Sequence, residues 1–469
     1  MTITNNNTFI LKGDIVYSLD PQHLSCTPNG YLVCQNGRCA GVFAANQLPE
    51  RYAPLIAADT SAAATAAGTP TATPTATPAP APANTPIPQF HNHTGHLIIP
   101  GLVDLHTHAP QFPNRGLGMD LPLLEWLTTY TFPQEARYAN LTYAAQAYAD
   151  FTATLRRGAT THAAIFATVH VPATLLLMDQ LEASGLTTFV GKVNMDRNGI
   201  PSLDEQNAHT SLQATQQWLQ TVAQRGYQRT QPLLTPRFVP SCSNQLLQGL
   251  GQLQQQWGIP VQSHLSENHA EIAWVHQLRP DVPTYAQAYQ QAGLLGGPTC
   301  PTIMAHCVHS TPPDTALLKQ QGVWVAHCPI SNTCMANGIA PARSYLNQGL
   351  RMGLGSDVSG GYTPNMLAVI ADTIKSSKLR YRLINQEEPP LTVAEAFYLA
   401  TRGGGSFWDT PTTKVGSFEP GYQFNAVVLK DPTLPTDNTA NLTNRLERAI
   451  YTANETHVVS KYIAAHQLF

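Results

Sequence analysis

Two histidines one residue apart, His106 and His108, close the apolar run LIIPGLVDLHTH. Residues i and i+2 of a strand face the same side, so both imidazoles can reach one ion. Further along, His264 ends the apolar part of IPVQSHLSE, His306 that of TIMAHCVHS, and Asp357 follows RMGLGS. Imidazoles with a carboxylate suit a divalent transition metal, zinc foremost, and the same donors tolerate Fe2+. Each signal has a plainer alternative. An HxH pair also arises from unrelated histidines, His264 would suit a hydrogen-bonded core position, and Asp357 would suit a turn or cap. Their joint placement at the ends of separate strands favours the ion.

Those strands belong to a repeating pattern. ATTHAAIFA, LTTFVGKVNM, PLLTPRFVPS and VWVAHCPIS join the four segments above to give eight strand candidates. Helix-compatible stretches such as VPATLLLMDQLEASG and NQLLQGLGQLQQQWG separate them. Alternation of this kind predicts βαβ units and a parallel sheet, and eight units predict a (β/α)8 TIM barrel of about 250 residues. Its active site would gather at the carboxyl ends of the strands, where the polar residues fall. Residues 7–57 instead read as short strands, with Asn36-Gly37 as a hairpin signal. Strand texture returns in KVGSFEPGYQFNAVVLKDP. The expected organisation is a small β-sandwich domain from residues 1–59 and 412–469, and a barrel from 91–411. Between them lies an Ala/Thr/Pro tract at 60–90, too proline-rich for regular structure and expected to be disordered.

Composition narrows the function classes. Of 469 residues only 12% are charged and the formal net charge is −3, which argues against a nucleic-acid binder. No run of 18 apolar residues predicts a membrane span, and MTITNNNTFILKGD does not read as a secretory signal. The eight cysteines contain no CxxC pair and are read as free thiols. A cytoplasmic, small-molecule enzyme is the expectation.

Several longer motifs sharpen this. PGLVDLHTH, QSHLSE, AHCVH, AHCPISN and GLGSDVSGG together resemble the metal-dependent amidohydrolase superfamily. PGLVDLHTHAPQ, DLPLLEWLTTYTFPQEARYAN and TPRFVPSCS resemble, within it, the guanine deaminase family. The likeness runs from about residue 97 to 430. DLPLLEWLTTYTFP is its most specific part, although composition alone makes it an amphipathic core helix. The resemblance implies that His106, His108, His264 and Asp357 hold one zinc. It implies that His306 orients or polarises the ring, that Glu267 shuttles a proton, and that Gln111, Arg237 and Phe238 recognise a purine beside His264, Glu267 and Asp357. His327 is implied to be structural. A homodimer acting on guanine in purine catabolism or salvage is also implied. The rival is another deaminase or chlorohydrolase of the superfamily, acting on a nucleoside or triazine.

Residue chemistry agrees. Guanine presents O6 and N7 as acceptors, which an arginine fork matches, and a glutamine can both donate and accept. Taken alone, Glu267 would equally suit an exposed helix start. Strand alternation points Phe238 away from Arg237 and so toward the core. Arg115, in FPNRGLGMD, has no assigned role.

Overall fold

The computed structural model describes residues 8–57, 90–297, 299–430 and 441–469. The Ala/Thr/Pro tract lies outside the described residues up to Phe90, which opens a strand.

Seven strands form one sheet. They are β1 (Thr8–Ser18), β2 (Leu24–Gln35), β3 (Arg38–Phe43), β4 (Phe90–Pro100), and, from the other end of the chain, β15 (Ala426–Leu429), β16 (Val458–Ile463) and β17 (His466–Gln467). Their order is β17-β16-β15-β4-β1-β2-β3. The β2–β3 turn is the expected one: Asn36 and Gly37 have φ of 52° and 80°, the paired positive values of a tight hairpin. Flat strands spaced by about 4.8 Å would put β1 and β16, three places apart, about 14 Å from each other. Yet the Phe9 ring lies 5.8 Å from Tyr462 and 5.0 Å from Phe424. The sheet therefore curls over a shared apolar interior that includes Leu11, Tyr17, Phe418 and Val428.

The remaining strands are β5 (Leu102–His108), β6 (Thr160–Phe166), β7 (Thr187–Gly191), β8 (Val193–Asn194), β9 (Thr230–Pro232), β10 (Thr235–Pro236), β11 (Val261–Leu265), β12 (Thr302–His306), β13 (Trp324–His327) and β14 (Arg351–Leu354). They pair in parallel as β5-β6-β7-β9, β8-β10 and β11-β12-β13-β14. A parallel bridge between Leu234, in the link from β9 to β10, and Val261 ties that link to β11. On the opposite side, Asp357 N–H donates to His106 O at 2.8 Å and His108 N–H to Val358 O at 3.0 Å. All eight expected strand segments are present, the first, third and fourth each broken in two.

One boundary differs from expectation. LIIPGLVDLHTH is not a single strand but the end of β4 in the curled sheet followed by β5 in the parallel one. Pro100 lacks a donor for further pairing. At Gly101 a Cβ would sit 2.2 Å from Thr161 Oγ1, so only glycine passes there. The parallel unit thus begins at 102 rather than 91.

Helices cover the parallel strands through one apolar face each. Leu141–Arg157 buries Ala144, Ala147, Tyr148, Phe151 and Leu155, the three-and-four spacing of an amphipathic helix, and Asn140 caps its first turn. Lys461 on β16 is fully buried. Its ammonium donates to the carbonyls of Leu155 at 3.0 Å, Gly158 at 2.8 Å and Thr160 at 2.9 Å, tying the curled sheet to the base of β6. All eight cysteines are free. Among the described residues no helix is long and apolar enough to cross a membrane.

Candidate active site

β5 delivers its two histidines to one face, as alternation requires. Their Nε2 atoms are 3.2 Å apart. His264, near the end of β11, brings its Nε2 to 3.3 Å from that of His108. Asp357, just past β14, places Oδ1 3.2 Å from His106 Nε2 and 3.3 Å from His108 Nε2. Donors at about 2.0–2.1 Å from a tetrahedral ion stand about 3.3 Å from one another. Four of the six separations among these groups are therefore those of a first coordination sphere. Arg237 O, which can only accept, takes the Nδ1 proton of His264 at 2.6 Å. That leaves Nε2 as a bare lone pair. Phe166 walls this side, its ring 4.5 Å from His108 and 4.9 Å from His264.

Electrostatics fit the same purpose. Burial lowers the His106 imidazole and brings His108 down to about 4. Burial and the surrounding imidazoles hold His264 well below its ordinary value. All three are uncharged and ligand-competent at neutral pH. Burial alone would raise Asp357, but His106 and His108 outweigh it and keep the carboxyl well below the usual range. The backbone is shaped to match. Asp357 has φ of 45° and His306 of 73°, left-handed values that fix where each side chain leaves its strand. Asp104, buried beneath, accepts from His106 N–H and Ser356 N–H and so ties β5 to the loop that carries Asp357. At Gly360 a Cβ would stand 2.5 Å from Ser331 Oγ and 3.2 Å from Asp357 Oδ2. The glycine-rich loop is thus a clearance around the carboxylate as well as a turn.

His306 belongs to the cluster as well, its ligand atom within 4.8 Å of those of His106 and His264 and of those of Glu267 and Asp357. Its Nδ1–H is donated to Asn332 Oδ1 at 3.0 Å, and Nε2 lies 3.4 Å from Glu267 Oε2 and 3.7 Å from Asp357 Oδ2. Glu267 is buried rather than an exposed helix start. The acidic group in the first turn of that helix is Glu271, in a capping box with Asn268. Burial, then the charges of Asp357 and Glu271, push the Glu267 carboxyl well above its ordinary value, against the opposing bond from Asn337 Nδ2 at 2.7 Å. A buried carboxyl shifted upward beside candidate ion ligands suits a proton donor. His327 ends β13, buried, and does not join the cluster.

A cavity lined by His108, His264, Asp357, Glu267 and His306 is also lined by Gln111, Arg237, Phe238, Trp126, Leu123 and Met335. Arg237 and Phe238 both face it, contrary to the alternation expected of a strand. β10 ends at Pro236, so the two residues sit in the following turn, where alternation no longer applies. Arg115 does not line the cavity. Its guanidinium stacks 3.3 Å from the Phe112 ring centroid and donates to Phe112 O.

The DLPLLEWLTTYTFP segment is helical but not only core. It runs as Leu123–Trp126, a wide π turn Leu127–Thr131, and Phe132–Ala136. Pro133 explains the widening: it cannot donate to the carbonyl four residues back, and its ring crowds that carbonyl. Trp126 and Leu123 reach the cavity from this segment, and Glu135 at its end holds Arg237 and Gln111. Sequence reasoning missed Glu135, Asn337 and Trp126. No spacing rule marks a single acid in a helix or a single amide in a turn.

Residues 97–461 match the amidohydrolase family model. The guanine deaminase of Dictyostelium discoideum is 38% identical over 376 residues, covering 79% of this chain and 82% of that protein. The guanine deaminase of Homo sapiens is 37% identical over 332 residues, covering 71% and 72%. The crystal structure of guanine deaminase from C. acetobutylicum with bound guanine superposes with a TM-score of 0.86 at 38% identity, covering 99% of this chain and 100% of that one.

Proposed function

The chain belongs to the amidohydrolase family, and from that membership and the site geometry we propose that it is a zinc-dependent guanine deaminase. It would convert guanine and water to xanthine and ammonia. The observation that carries this reading is the shared cavity. His108, His264, Asp357, the buried Glu267 and the Arg237–Gln111 wall all line one cavity.

His106, His108, His264 and Asp357 would hold one zinc, with Fe2+ compatible with the same donors. An ion there supplies the Lewis acidity that lets water ionise near neutral pH. The protein's own groups do the rest. Arg237 donates to O6 of the ring, Gln111 contacts the purine edge, and Phe238 and Trp126 give apolar walls. Glu267 donates its proton to N3 as the water oxygen bonds to C2. Asp357 takes the proton that water loses. Asp357 then passes this proton to the departing amino group, the C2–N bond breaks and ammonia leaves. The remaining C2 hydroxyl returns a proton to Glu267, giving xanthine. His306, facing Glu267 and Asp357, orients the ring.

We read the parallel strands as a closed (β/α)8 barrel running to about residue 411. The curled seven-stranded sheet is its small β-sandwich domain, built from both chain ends. A cytoplasmic homodimer acting in purine catabolism or salvage, on guanine rather than nucleic acid or membrane, completes the proposal. Purified protein with measured metal, assayed for guanine loss by ultraviolet absorbance and for ammonia, tests it. Turnover should vanish with chelation, return with zinc, and far exceed that on adenine, adenosine, cytosine or triazines. Absence of guanine turnover by the metal-loaded protein would overturn it.

A further inference from the structure

Glu135 lies outside the ion cradle, yet it is the group on which the heterocycle wall is hung. It is 2% exposed, as buried as the residues it touches. Oε2 accepts from Arg237 Nη1 at 2.6 Å, across 102 positions of sequence. Oε1 accepts from Gln111 Nε2 at 2.8 Å. On its other side Gln111 Oε1 accepts from Ser359 N–H at 3.1 Å. Gln111 is therefore fixed in one of its two amide orientations. A carboxylate can only accept and a backbone N–H can only donate, so Nε2 must face Glu135 and Oε1 must face Ser359. The Arg237 guanidinium is held from two directions, by Glu135 and by the Phe132 ring 4.9 Å beneath it.

With these bonds made, Gln111 has one amide N–H left over, and the guanidinium has the N–H groups that Glu135 does not take. Both are donors. A ring edge bearing a carbonyl oxygen meets them productively. A ring edge bearing an amino group would set donor against donor and leave buried groups unpaired, the arrangement that gives the steepest discrimination between near-isosteric ligands. Resting on the function proposed above, we infer that Glu135 is a positioning residue that fixes the hydrogen-bond polarity of this wall and so restricts the site to 6-oxo over 6-amino purines.

The test is Glu135→Gln in the full-length, metal-loaded protein. It compares KM for guanine with the inhibition constant of 2,6-diaminopurine, which carries an amine where guanine carries O6. A glutamine can donate as well as accept, so it frees Gln111 to turn and removes the partner charge of Arg237. The expected result is a ten- to hundredfold rise in guanine KM, kcat within about threefold, unchanged metal content, and a ratio of the two constants reduced at least tenfold. A merely structural Glu135 would lower the active fraction without moving that ratio, and an unmoved ratio overturns the inference. Should Glu135→Gln fail to fold, the neutral pair Glu135→Gln with Arg237→Gln is compared with Arg237→Gln alone. The ratio should be smaller in the pair, where Gln111 is free to turn, and an equal ratio in the two would overturn the inference. Parent protein inactive on guanine would instead defeat the function proposed above.

Discussion

Glu267→Gln separates proton transfer from ion holding. Glu267 Oε1 accepts from Asn337 Nδ2 at 2.7 Å, and an amide oxygen accepts there equally well. Shape and that bond survive the change, whereas the ability to release and regain a proton does not. A placed general acid is worth about 10²- to 10⁴-fold, or about 2.7–5.5 kcal/mol at roughly 1.4 kcal/mol per tenfold. A residue that only gripped the ligand would cost about 1.5–3 kcal/mol, and the loss would appear in KM. Glu267 also stands outside the four-group cradle, facing His306 Nε2 at 3.4 Å. The expected outcome is therefore a kcat reduced at least a hundredfold, KM within a few-fold, and metal per chain unchanged. Steady-state kinetics on guanine with elemental analysis of the same samples reads all three. A kcat within tenfold of the parent, or metal lost in step with activity, would refute the assignment.

Arg237→Lys keeps the charge but loses the planar fork. Guanine KM should rise by about 1.5–3 kcal/mol, roughly 10- to 150-fold, and an unchanged KM would remove Arg237 from recognition. Protein stripped of metal should lose stability on acidification. Burial takes His108 from 6.5 to about 4 and His162 to about 3. Below pH 6.5 the unfolded chain therefore binds protons that the folded one refuses, and the folded state weakens as pH falls toward those values. Thermal melts between pH 8 and 5 check this, and a flat Tm would contradict it. Lys461→Met would strand three carbonyls that now share one ammonium. It should destabilise by about 1–3 kcal/mol for each carbonyl left without a donor, and a urea-unfolding loss under about 1 kcal/mol in all would count against the role given to this residue.

The ion cradle was legible because chemistry and secondary structure were written in the same segments. His106 and His108 obey a two-residue period, and His264, His306 and Asp357 each follow a short apolar run. What escaped was decided by contacts between distant segments. Glu135 sits in a helix with no periodic signature, and its meaning lies in Arg237, 102 residues away. Asn337 lies in a turn, and only folding brings it to Glu267. For Phe238 only the alternation argument failed, because it ran two residues past a strand that ends at Pro236. The division at Pro100-Gly101 was visible as a dipeptide. Its effect, one ribbon serving two sheets, depended on Thr161 filling the space that a side chain at Gly101 would need.

Lys461 bears on how such proteins can be recombined. A chimaera that exchanged the curled sheet for that of a relative would carry the catalytic strands across unaltered, yet the graft would have to bring a cation to the same three oxygens. Without one, the damage would begin at the foot of β6, on the far side of the seam from every exchanged residue.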